Sequence, residues 1–184
     1  MDKLKQDFKY KIIKNFLNES EIDLFSRYTR MRHRSNQNSF DNKQSIIGDT
    51  YFYGDPIMES LLLCKRKLVE KESGLELLPT YAFWRMYTYL ADLKAHKDRP
   101  SCEVSVTVMI DSDGTDWPIF MDGNKLELQK GDAALYLGCE VEHWREEFTG
   151  DWHSQTFLHY IDKNGPYKNA NLVADGRELW GTLK

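Results

Sequence analysis

From Thr80 onward the apolar residues keep to period two, the pattern that most restricts what this chain can fold into. "EVSVTVMI" sets Val104, Val106, Val108 and Ile110 on one face of an extended strand. "YAFWRMYTYL" is rich in aromatic residues and suits a strand. "WPIFMDGNKLEL" reads as a hairpin turning at Asp122-Gly123, "QKGDAALYLG" supplies a further turn and strand, and "WHSQTFLHYI" at 152–161 is the last. Many short strands at regular spacing, with helices confined to one end of the chain, describe a mainly β protein, a β-sandwich or jelly roll, with flanking N-terminal helices.

The first part reads differently. "YKIIKNFL" at 10–17 is a strand entering a turn. Asn18 then caps a helix through "NESEIDLFSRYTRMRHR", with Glu21 placed to complete a capping box and Ile22, Phe25 and Thr29 near helical spacing. Residues 35–50 are polar and predict a loop. A second helix runs from about Pro56, with Ile57, Leu61, Cys64 and Leu68 in a stripe and Gly74 as its stop. At 184 residues without an internal repeat, the chain is expected to be one domain. Residues 1–79 are its helical support, 80–161 its core and 162–184 a C-terminal extension.

Composition narrows the function classes. "LLLC" at 61–64 is about the longest apolar run, far short of a membrane span. "MDKLKQDFKYKIIKNFL" lacks the continuous apolar segment of a secretory signal, so a cytoplasmic location is expected. Cys64, Cys102 and Cys139 are odd in number and widely spaced, which predicts reduced thiols. A net charge of -4 gives no footprint for nucleic acid, and the local patch "RYTRMRHR" at 27–34 reads as a solvated helix end.

His96 and Asp98 stand at i and i+2, so in extended chain both side chains point the same way and could hold one metal ion. Alone, such a pair is equally two polar residues closing a strand. His143, where the last strands begin, is the natural third ligand. Two imidazoles and one carboxylate leave three coordination positions open, the arrangement of non-haem Fe(II) oxygenases, whereas no Cys is spaced to close a structural zinc site.

"WRMYTYLADLKAHKD" and "KGDAALYLGCEVEHW", together with the opening "IIKNFLNESEIDLF", resemble the 2-oxoglutarate and Fe(II)-dependent dioxygenases, particularly their prolyl 4-hydroxylase-like branch. The likeness is fullest over about residues 80–161. It implies a double-stranded β-helix (jelly roll, cupin-like) and a hydroxylase that uses Fe(II), 2-oxoglutarate and O2. His96, Asp98 and His143 would be the iron ligands, and Tyr87 would help to hold the cosubstrate carboxylate. The substrate is unidentified, a prolyl or other residue of a peptide being one candidate, and no nucleic-acid or membrane partner is implied. The chain departs from the family at His153, which stands where an Arg or Lys usually pairs with the distal carboxylate of 2-oxoglutarate. A protonated imidazole would do this more weakly and with pH dependence. Arg145 and Arg85 are the nearest alternatives. Two other readings remain open: a cupin-like metalloenzyme without 2-oxoglutarate, and a non-catalytic binding module on the same scaffold. Of the remaining candidates, His159 is expected to be a hydrogen-bonded structural residue and Arg99 to pair at the surface with an acid such as Glu103. Trp84, Trp117, Trp144 and Trp152 are expected mainly to pack.

Overall fold

The capping box forms as expected: Glu21 N–H donates to Asn18 Oδ1 and Asn18 N–H to Glu21 Oε2, both at 2.9 Å. It opens α1 (Glu19–Asn36), which follows β1 (Tyr10–Ile13). After β2 (Thr50–Tyr53), α2 (Pro56–Ser73) starts on an Asp55 cap and stops at Gly74, whose φ of 71° is left-handed. The computed structural model describes residues 9–36, 49–178 and 180–181, so most of the loop expected over 35–50 lies outside the described residues.

Eight further strands follow: β3 (Leu77–Thr88), β4 (Leu93–His96), β5 (Val104–Ser112), β6 (Ile119–Met121), β7 (Asn124–Leu126), β8 (Ala133–Leu137), β9 (His143–Arg145) and β10 (Trp152–Asp162). They form two antiparallel sheets, a large one in the order β1-β8-β5-β10-β3-β2 and a small one in the order β4-β9-β6-β7. The hairpin at Asp122-Gly123 joins β6 to β7, with Met121 opposite Asn124. This is the double-stranded β-helix that the resemblance implies. One detail differs. The strand expected at 10–17 forms one edge of the large sheet as β1, but the other edge is β2 (Thr50–Tyr53), a strand that the reading of residues 35–79 did not include.

Both helices cover one face of the large sheet. There Val104, Val106, Val108, Ile110, Leu135 and Leu158 are buried with Phe16, Leu17, Met58 and Leu62. Fully burying each such side chain is worth about 1.5–3 kcal/mol. The opposite face is roofed by the small sheet: Ile119, Met121 and Leu126 pack on Ala134 and Tyr136. Between the sheets lies the barrel interior, which the inward residues of β5, β3 and β10 line. Among the described residues no helix is long and apolar enough to cross a membrane.

Candidate metal centre

Pairing of β4 with β9 sets His96 directly opposite His143, and the two imidazole centroids are 4.3 Å apart. Asp98 follows just past the end of β4, anchored by its backbone N–H to Gly138 O at 2.8 Å. Its Oδ1 lies 3.7 Å from His96 Nε2 and 3.7 Å from His143 Nε2. One ligand atom from each of the three side chains falls within 4.8 Å of the others.

The tautomers are fixed from behind. His96 Nδ1 is 2.7 Å from Lys94 O, and His143 Nδ1 is 3.0 Å from Val141 O. A carbonyl can only accept, so each Nδ1 carries a hydrogen and each Nε2 is the ring nitrogen turned toward Asp98. Burial lowers the His143 pKa. Two imidazole nitrogens and a carboxylate oxygen converging on one spot are a donor set that fits a divalent cation.

Two residues along β9 from His143, on the same side of the strand, Arg145 enters the barrel. It is buried, donates to Trp117 O and, at 2.7 Å, to Gln155 Oε1, and its Cζ lies 4.5 Å from the centre of the Trp117 ring. No carboxylate contacts it among the described residues. Desolvation lowers its pKa to about 10, so it remains a cation at neutral pH. Arg85, the other alternative, is occupied by a pair with Asp49.

Tyr87 and His153 are cross-strand partners in the same cluster. Tyr87 meets Trp117 edge-on, with centroids 4.8 Å apart. His153 is wedged between Trp117 and Phe148, with Nε2 3.1 Å from Gln155 Oε1. Gln155 in turn donates its amide to Thr107. Since Gln155 Oε1 accepts, His153 Nε2 carries the hydrogen, and Nδ1 is a buried lone pair with no partner among the described residues. The protonated His153 expected at this place is not what the surroundings support. Burial, reinforced by the Arg145 charge, pushes its pKa down to about 3. Arg145 is the cation here.

Of two further expectations, the one for His159 is met and the one for Arg99 is not. His159 is a hydrogen-bonded interior residue, its Nδ1 2.8 Å from Ser105 Oγ, and burial pushes its pKa down to about 4. Arg99 pairs with Asp175, at 3.1 and 2.9 Å, and not with Glu103. Asp175 also accepts from Tyr53 Oη at 2.5 Å, so the segment Ala170–Gly176 is tied to the strand end that carries Asp98. Sequence reasoning passed over Tyr136, whose ring lies 4.8 Å from His143, and gave Gln155 no role. Their inward strand positions were the signal available.

No family model and no curated protein matches the chain. Solved structures do. A Pseudomonas putida prolyl-4-hydroxylase superposes with a TM-score of 0.66 at 18% identity, over 84% of this chain and 94% of that one. The viral collagen prolyl hydroxylase vCPH from Paramecium Bursaria Chlorella virus-1, solved with 2-oxoglutarate, gives 0.64 at 10% identity, over 84% and 96%. HygX from Streptomyces hygroscopicus, with nickel and 2-oxoglutarate bound, gives 0.65 at 11%, over 90% and 89%. At these identities the likeness is one of fold, and the fold common to all is the double-stranded β-helix.

Proposed function

We propose that this chain is an Fe(II)- and 2-oxoglutarate-dependent oxygenase that hydroxylates its substrate, with the residue of a peptide, prolyl among them, as the first class to try. The observation that carries it is a pairing: three converging metal donors and, two residues from one of them, a buried Arg145 that no carboxylate contacts among the described residues. A cation held in a dry interior is costly unless a counterion completes it. A dicarboxylate that also reaches the metal supplies one. The prolyl hydroxylases and the nickel- and 2-oxoglutarate-bound HygX among the similar folds support the same reading.

In this reading His96, Asp98 and His143 hold the iron on one face. The bound iron and 2-oxo acid supply the oxidising power to place an oxygen atom of O2 into a C–H bond. Arg145 anchors the far carboxylate by charge-assisted hydrogen bonds, and Gln155 holds the guanidinium in place. Trp117, Phe148 and Tyr87 keep water from that anchor and so strengthen it. Neutral His153 and Tyr87 shape the pocket. An enzyme using the triad without 2-oxoglutarate would leave Arg145 without a counterion. The whole chain acts as one domain in this proposal, with the cytoplasm as its location.

The test is anaerobic titration of the Fe(II)-loaded protein with 2-oxoglutarate, following the visible charge-transfer band of the chelate. The band should appear, disappear in His143→Ala, and in Arg145→Met require at least about tenfold more 2-oxoglutarate, since losing one partner of a buried charge pair costs 2 kcal/mol or more. Iron binding without a band would overturn the cosubstrate assignment.

A further inference from the structure

Only one oxygen of Asp98 faces the two imidazoles. The other, Oδ2, turns away into β5, where Ser105 Oγ stands 3.1 Å from it. Ser105 Oγ is crowded: Cys102 O lies at 3.0 Å and His159 Nδ1 at 2.8 Å. Tyr136 is the cross-strand partner of Ser105. Ser105, Cys102, His159 and Tyr136 are buried, and Asp98 is partly so.

A serine hydroxyl has one hydrogen to donate and two lone pairs to accept with. Two neighbours, Asp98 Oδ2 and Cys102 O, can only accept. A hydrogen bond to a carboxylate is roughly twice as strong as one between neutral groups, so the single Ser105 hydrogen goes to Asp98. His159 must then donate from Nδ1, which fills one of the Ser105 lone pairs. The backbone closes the same cradle. At Gly138, which accepts from Asp98 N–H, a Cβ would stand 2.5 Å from Asp98 Oδ2 and 2.2 Å from Cys102 O, so no side chain fits there.

We propose that Ser105 is a positioning residue for the metal centre. Its hydroxyl, polarised by His159, holds Asp98 Oδ2 so that Oδ1 alone is offered beside His96 and His143. This rests on the reading above that Asp98 is a metal ligand. It goes further in making the ligand's orientation the work of a hydrogen-bond chain, His159 to Ser105 to Asp98, that runs in from β10. A carboxylate held by one oxygen keeps the remaining positions of the ion open.

Two measurements test it. The first needs no metal. Nitrogen-15 NMR of the histidine side chains in the metal-free wild-type protein should show His159 with its hydrogen on Nδ1. A hydrogen on Nε2 would mean that Ser105 donates to His159 instead, which overturns the proposal even if no variant folds. The second is a titration with Mn2+ alone, monitored by calorimetry, of wild type, Ser105→Ala and Ser105→Thr. Ser105→Ala should lose roughly 10- to 100-fold in affinity, the usual effect of removing a group that orients a metal ligand, while Ser105→Thr, which keeps the hydroxyl, recovers most of it. Equal affinity for wild type and Ser105→Ala would overturn this proposal and leave the oxygenase reading standing. Wild type that binds no Mn2+ would overturn both.

Discussion

The two faces of β5 and β10 share a backbone and a degree of burial, yet bury opposite chemistry. Toward the helices they present Val104, Val106, Val108, Ile110 and Leu158. Toward the barrel interior they present Ser105, Thr107, Gln155, His153 and His159. Ser105, Thr107 and Gln155 are as fully enclosed as Val106, each at 0% exposure, so exposure does not separate the two faces. Hydrogen bonding does. Burying a hydroxyl or amide costs free energy unless a partner replaces water. The inner residues meet this by bonding to one another and to the groups of the candidate site: Gln155 to Arg145 and Thr107, Ser105 to Asp98 and His159. The outer face thus supplies stability through area, while the inner face arranges chemistry at little net gain in stability.

The sharpest way to break that division is to cut the outer face. Leu158→Ala should cost about 2–5 kcal/mol, the range for removing a buried leucine side chain. Urea unfolding measures it, and the affinity for Mn2+ of the folded fraction should stay at the wild-type value. A loss under 1 kcal/mol, or a matching loss of metal affinity, would show that the faces are not separable.

How legible was this division in the sequence? The outer face was read directly, because alternation of Val104, Val106, Val108 and Ile110 is a local pattern that pleating obeys. The capping box at Asn18 and Glu21 and the stop at Gly74 were equally local. What escaped depends on contacts far apart in the chain. β2 is four residues long and exists by pairing with β3, so nothing within it marks it as a sheet edge. Arg99 was given to nearby Glu103, but folding brings it Asp175, a choice no spacing rule can see. At the site, the i, i+2 relation made His96 and Asp98 visible, while Arg145 was one of two nearby cations that the sequence alone did not separate. That Arg145 meets no acid among the described residues, and that His153 is held neutral, follows only from what the barrel packs around them.

A smaller effect sharpens the claim that the inner face is polar yet dry. His153 has a folded pKa near 3 against an ordinary 6.5, with desolvation the main cause. As pH falls below 6.5 the unfolded chain takes up a proton on this ring and the folded protein does not. The stability His153 contributes is therefore complete above pH 6.5 and is lost on acidification. The slope should approach about 1.4 kcal/mol per pH unit. Unfolding free energies of wild type and His153→Asn at pH 6.5 and 5.5 isolate it, since other titrating groups are common to both. Parallel slopes would mean that water reaches the ring.

The smallest expected change in stability belongs to the residue whose loss should matter most to function. Asp98→Ala removes a side chain that lies at the end of β4 and outside both sheets' apolar cores. It orphans little. The Ser105 hydroxyl, no longer needed by the carboxylate, still has Cys102 O within 3.0 Å, and the backbone N–H of residue 98 keeps its bond to Gly138 O. His96 and His143 keep their carbonyl partners. Unfolding free energy should therefore stay within about 1 kcal/mol of wild type, the range for substitutions that open no core cavity, while calorimetric binding of Mn2+ is lost. A variant that still binds Mn2+ as tightly as wild type would remove Asp98 from the donor set. One that unfolds would show instead that the inner chain from His159 through Ser105 to Asp98 carries stability of its own, and the contrast between the two faces would then be one of degree.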